Sequence, residues 1–290
     1  MHLMLIMGAI ALAILSRLVA KYRPVTPAQR WTAALGPFLF APLLLICTVG
    51  AVFCMGREGH MLGLPVGSMG WGLAAAFLLL LAVALLYWGW QIWRSRRALR
   101  ALPLVDINSL TAHLLDTPAL FAAQVGFWQP HLVVSQGLLE TLPVEQVAAV
   151  LAHEQAHAYY RDTFWFFWLG WLRQVTAWLP HTEALWQELL LWRELRADRW
   201  AAQRVDPLLL AEALVQVVKS PLKSPDLPCA AFGDASSHSR LAERVEALIP
   251  TVENTAMLNV PGQSPPIEAR LPWPWLLAAC LPLCSLLAHH

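Results

Sequence analysis

His153, Glu154 and His157 form an H-E-x-x-H pattern inside Val147 to Asp162, a stretch with neither Gly nor Pro. On a helix, residues four apart share a face, so both imidazoles can address one metal ion. Glu154, turned by about 100° from His153, then faces the position that a metal leaves open to water. Two histidines with an adjacent carboxylate in this register are the donors and the proton carrier of a hydrolytic zinc site. The chemistry they permit is attack of an activated water on a peptide carbonyl, with Glu154 taking the proton and returning it to the leaving amine.

Two imidazoles leave such a site one protein ligand short. A later predicted helix, from about Thr182 to Gln203, carries Glu194 and Asp198, again four apart. Glu194 is the candidate third ligand, and Asp198 is placed to accept the free ring N–H of a ligating histidine. The plainer alternative is that these acids, with Arg193, Arg196 and Arg199, make a solvated charged face. Donors to the developing oxyanion come from Tyr159, Tyr160, His238 or Arg244. Taken alone, His238 in a Ser-rich loop reads as an exposed side chain, and Arg244 as a charge on a helix surface.

The elements that must position these residues are unusual in composition. Of 290 residues, 58% are hydrophobic and 13% charged, too apolar for an ordinary soluble chain. The excess collects in blocks of membrane-spanning length at 3–20, 33–55 and 71–93, with a fourth, shorter block at 271–288 that contains prolines. Arg17 is expected to snorkel from the end of the first block. Basic residues follow the first block (Lys21, Arg23, Arg30) and the third (Arg94, Arg96, Arg97, Arg100), which places the amino terminus outside and the segment after Arg94 in the cytoplasm. A net charge of +1 without a phosphate-tracking basic run argues against a nucleic-acid partner. Cys47, Cys54, Cys280 and Cys284 read as small buried hydrophobes.

Residues 101–250 are more polar and form the predicted catalytic domain, followed by a Pro-containing linker at 251–270. The fold class is mainly α: membrane-spanning helices plus a helical zincin-type domain with a small β-hairpin or sheet. Ala119 to Val125 and His131 to Ser135 are the expected hairpin, and Pro143 opens the motif helix at its first position. The aromatic block from Phe164 to Leu179 cannot cross the bilayer and return. That would need about 40 apolar residues, and only 36 residues separate His157 from Glu194. It is either a helix lying in the headgroup layer or a core helix of the catalytic domain.

The stretch Gln129 to Leu139 (QPHLVVSQGLL), followed by AAVLAHEQAHAYYRD from Ala148 to Asp162, resembles the integral-membrane gluzincins of the β-lactam sensor-transducer, or antirepressor, type. HtpX and the CAAX prenyl proteases are relatives of that group. The resemblance implies an E-x-x-x-D motif supplying a third zinc ligand and a supporting acid, matched by Glu194 and Asp198. In the HtpX group a His, usually followed by Pro, precedes an Arg by six residues. His238 and Arg244 have that spacing, with Ser239 in the place of the Pro, and the implied role is to steady the oxyanion or the Glu ligand. The expectation is therefore a multi-pass protein of a bacterial inner membrane, using Zn2+ to cleave a protein or peptide substrate beside the lipid bilayer. The substrate would add as a strand beside the hairpin. Two other functions stay open: a signalling protease that cleaves a cytoplasmic repressor, and a non-catalytic membrane scaffold stabilised by zinc.

Overall fold

The computed structural model describes residues 2–21, 30–57, 60–61, 64–65, 67–219, 240–257 and 272–287. Apolar runs nearly free of charge form α1 (His2–Lys21), α2 (Arg30–Met55) and, after the short pair β1 (His60–Met61) and β2 (Leu64–Pro65), α3 (Gly67–Leu99). Among the described helices, α2 and α3, of 26 and 33 residues, are long and apolar enough to cross a membrane, whereas Ile6–Ala20 within α1 is a shorter apolar helix. Pro37 and Pro42 lie inside α2 without ending it.

The chain divides into two compact units, one of Met1–Trp88, Trp171–Leu189 and Ile267–His290, the other of Gly89–Gly170 and Leu190–Pro266. The second unit begins with a four-stranded sheet of β3 (Leu104–Ile107), β4 (Leu110–Leu115), β5 (Ala122–Val125) and β6 (His131–Ser135), in the order β3-β4-β6-β5. The expected hairpin is present as β5 and β6, antiparallel with Val125 opposite His131. The sheet is nevertheless larger than one hairpin. Asn108 and Ser109, both at positive φ, close a tight turn that pairs β3 with β4, and β4 runs parallel to β6. Strand β6 is buried on both faces, as a central strand with a parallel neighbour should be. Val133 meets Leu99, Phe121 and Val125 on one face, while Leu132 and Val134 meet Leu138, Val147, Val150 and Leu151 on the other.

Ser135 ends β6 and caps α4 (Gln136–Thr141), its Oγ accepting from the Leu138 N–H at 3.2 Å and donating to the Ala119 carbonyl at 2.6 Å. Gly137 is required there, because a Cβ would lie 2.2 Å from the Pro118 carbonyl oxygen. The motif helix α5 (Val144–Tyr159) follows, with Pro143 as its cap, one position before the expected first turn. The remaining described helices are α6 (Asp162–Val175), α7 (Thr182–Ala202), α8 (Pro207–Lys219), α9 (Leu241–Met257) and α10 (Trp273–Leu287). Small residues let four of these approach closely: Ala149 and Ala152 of α5 pack with Ala201 of α7, Leu210 and Leu214 of α8 and Leu248 of α9. That packing brings the functional stretches of α7 and α9 to α5. Helix α9 runs through Pro250, past the domain boundary expected there; residues 258–270 of the expected linker lie outside the described residues.

In the first unit, α1 and α10 pack on α2 through Ala9, Ala13, Ala41 and Ala279, and Gly36 admits the Trp275 indole, which a Cβ would approach to 2.8 Å. Arg17 does not snorkel. It is fully buried, donating to the Phe38 carbonyl at 3.2 Å and to Thr182 Oγ1 at 3.4 Å, because the surrounding helices supply acceptors that lipid would not. Of the cysteines, Cys47 is buried as expected, but Cys54 and Cys280 are exposed, although the Cys280 thiol reaches that of Cys47. The aromatic block is amphipathic: Phe166, Phe167, Leu169 and Leu172 are buried, whereas Trp165, Trp168 and Trp178 are exposed.

Candidate metal centre

Helix α5 sets His153 and His157 one turn apart on its buried face, with the two Nε2 atoms 3.1 Å from each other. Glu194 of α7 completes the cluster, with Oε2 at 3.3 Å from His153 Nε2 and Oε1 at 3.8 Å from His157 Nε2. All three residues are buried, and their ligand atoms lie within 4.8 Å of one another. The Nδ1 atoms face carboxylates: Asp198 Oδ1 is 2.9 Å from that of His153, and Asp162 Oδ2 is 2.8 Å from that of His157. A carboxylate fixes the ring proton on Nδ1 and leaves the Nε2 lone pair free. Two such lone pairs and a carboxylate converge here, an all-acceptor arrangement that a cation satisfies. The residues therefore fit a divalent metal, and the nitrogen and oxygen donors are those zinc takes.

The charges around the cluster point the same way. Burial alone would raise the Glu194 pKa, but the Arg193 and Arg244 guanidiniums hold it well below the ordinary carboxylate range. Arg193 contacts Glu194 Oε1 at 2.6 Å and Arg244 contacts Oε2 at 3.3 Å, so the carboxylate is kept ionised by a cation on each oxygen. Arg244 also spans Asp198 with two hydrogen bonds of 2.8 Å, and against the cost of burial this pairing keeps the Asp198 pKa low. Burial pulls the His153 pKa down, yet the adjacent Asp198 and Glu194 carboxylates prevail and raise it to about 9. Glu154 behaves differently. Burial pushes its carboxyl pKa up, with His157 and His153 only partly opposing, which brings it toward the range useful for proton transfer near neutrality.

His153, Glu154, His157, Glu194, Asp198 and Arg244 all lie in the second unit, and the acids of α7 are not a solvated face: Glu194 is 7% exposed and Asp198 1%. Arg244 is likewise no surface charge, at 3%. Its donors are engaged by Asp198 and Glu194. His238 lies outside the described residues. Of the tyrosines proposed for the oxyanion, Tyr159 is exposed and Tyr160 lies under the Arg196 guanidinium, 4.1 Å from the ring centre. Three residues of the site were not anticipated. Asp162 binds His157, Arg196 binds Asp162, and Arg193 binds Glu194. The available signal was the position of Asp162, buried five residues after His157 at the start of the next helix.

A buried His-His-Glu cluster, built on a helix that packs against a small mixed sheet and carrying a further buried carboxylate beside its ligands, defines a metallohydrolase. More narrowly, the chain belongs to peptidase family M48, a family of metalloproteases whose sequence model matches residues 91–251, more than half of the chain. No curated protein matches the chain.

Proposed function

We propose that the protein is a membrane-anchored zinc endopeptidase that cleaves membrane or membrane-near proteins, with His153, His157 and Glu194 as ligands and Glu154 as the general base. The observation that carries this reading is the convergence of three buried acceptors on one point, each ligand backed by a charged partner. Zinc held there supplies Lewis acidity and an activated water at neutral pH. Glu154, with its raised pKa, accepts the proton of the attacking water and passes it to the leaving amine. Arg244 and Asp198 keep Glu194 ionised and His153 in its ligating tautomer. Strand β5 is an edge of the sheet and packs on α5, so an extended substrate can add there by backbone pairing.

Anchoring is supported by α2 and α3, with the apolar part of α1 and the shorter α10 as accessory segments. The family match at 91–251 supports a catalytic domain close to the 101–250 expected from the sequence, followed by the linker. The arginines after Trp93 support a cytoplasmic location for that domain, and exposed Trp165, Trp168 and Trp178 suit the headgroup layer.

A Glu154→Gln variant tests the mechanism. It is expected to retain zinc and to lose about 10²- to 10⁴-fold in cleavage of an unfolded membrane protein, while chelation silences the unmodified enzyme and zinc restores it. Full cleavage by the variant would rule out Glu154 as the base. Wild-type protein that holds zinc tightly, loses its fold on chelation and cleaves nothing would point to the zinc-stabilised scaffold instead.

A further inference from the structure

We propose that Asp162 and Arg196 form a second positioning pair that orients His157, as Asp198 and Arg244 orient His153. The inference rests on the metal centre proposed above. Asp162 is 3% exposed and divides its two oxygens, Oδ2 accepting from His157 Nδ1 at 2.8 Å and Oδ1 meeting the Arg196 guanidinium. Its approach depends on Arg161, whose φ of 53° reverses the chain between α5 and α6 and returns the first residue of α6 to the imidazole one turn behind it. Arg196 compensates the buried carboxylate and is itself confined by the Tyr160 ring 4.1 Å beneath it. A carboxylate so held fixes the ring proton on Nδ1 and the plane of the imidazole, which aims Nε2 at the ligand cluster.

The consequence is a compact division of labour along α7. Glu194 supplies a ligand, Asp198 orients His153, and Arg196, lying between them in the sequence, orients His157 through Asp162. One helix therefore governs all three ligands. The motif on α7 reads E-x-R-x-D, with its central arginine as a working member.

An alternative use of the same contact is to pin α6 to α7 with no effect on the metal. The full-length protein in detergent, loaded with cobalt(II) or zinc, separates the two. Asp162→Ala is expected to weaken zinc binding by about 10- to 100-fold and to shift the cobalt visible bands. Asp162→Asn, whose amide oxygen still accepts from Nδ1, should lose severalfold. Arg196→Ala should move both readouts in the same direction, and Arg196→Lys should restore part of the loss. Zinc affinity and cobalt bands unchanged in Asp162→Ala, with only the unfolding temperature lowered, would overturn the proposal. Should that variant not fold, the same result in Asp162→Asn would overturn it. Wild-type protein that binds neither ion would refute the metal centre itself, a distinguishable outcome.

Discussion

Arg244 is where the charges of the centre meet, since its fork spans Asp198 and its remaining nitrogen reaches Glu194. Removing one partner of a buried ion pair leaves the other without compensation, at a typical cost of about 3–5 kcal/mol. Arg244→Ala is therefore expected to lower the unfolding temperature markedly and to reduce bound zinc, because Asp198 and Glu194 would no longer be held apart and ionised. Arg244→Lys keeps the charge but not the planar fork, and should recover only part of both. Thermal unfolding and zinc content of the purified variants check this; an Arg244→Ala protein unchanged in both would show the fork to be idle. At this scale the sequence was legible where spacing converts directly into geometry. His153, Glu154 and His157 needed only the helical repeat, whereas Glu194 and Asp198 needed in addition their place downstream of that motif. Asp162 and Arg196 did not follow from it, because their meeting depends on a left-handed Arg161 and on packing between two helices. Arg244 was reachable through resemblance, while its reading as a surface charge failed because burial arises from neighbouring elements.

Among the elements, the junction between β6 and α5 is the least tolerant. Ser135 ties β6 to the Phe121 and Leu138 amides, and Gly137 fits beneath the Pro118 carbonyl with no room for a Cβ. Gly137→Ala is expected to destabilise the fold by about 1–3 kcal/mol, since the clash is with backbone and cannot be relieved by a rotamer. It should also loosen zinc binding, because α5 starts seven residues downstream of Gly137. Differential scanning fluorimetry with and without zinc reads both effects; a variant as stable as wild type would mean that the loop before Gly137 yields freely. The hairpin of β5 and β6 was legible from its apolar runs and turn. The pairing of β3 with β4 carried a usable signal in Asn108-Ser109 between alternating residues, whereas the parallel pairing of β4 with β6 is non-local and leaves no local pattern. Pro250 misled in the other direction, marking a helix end that α9 does not observe.

For the whole molecule, the family match starts within α3 and stops within α9, so α1, α2 and α10 lie outside the matched region. Their apolar character was legible at once, because membrane-length runs are a property of composition. Whether they lie in lipid is an experimental question that the cysteines can answer. Cys280 is exposed midway along α10, a helix of 15 residues, which spans about 22 Å, short of the hydrocarbon thickness. If α10 sits in the bilayer, a single-cysteine protein retaining Cys280 should resist a membrane-impermeant maleimide from either side and react with lipid-soluble N-ethylmaleimide. Cys54, exposed at the end of α2, should react with the impermeant reagent in intact cells if the orientation proposed from the basic residues holds. Cys229, between α8 and α9 in the sequence, should react only in inverted vesicles. Labelling of Cys280 by the impermeant reagent would remove α10 from the membrane. Labelling of Cys229 in intact cells, with Cys54 protected, would invert the protein and place its peptidase centre on the opposite side of the bilayer.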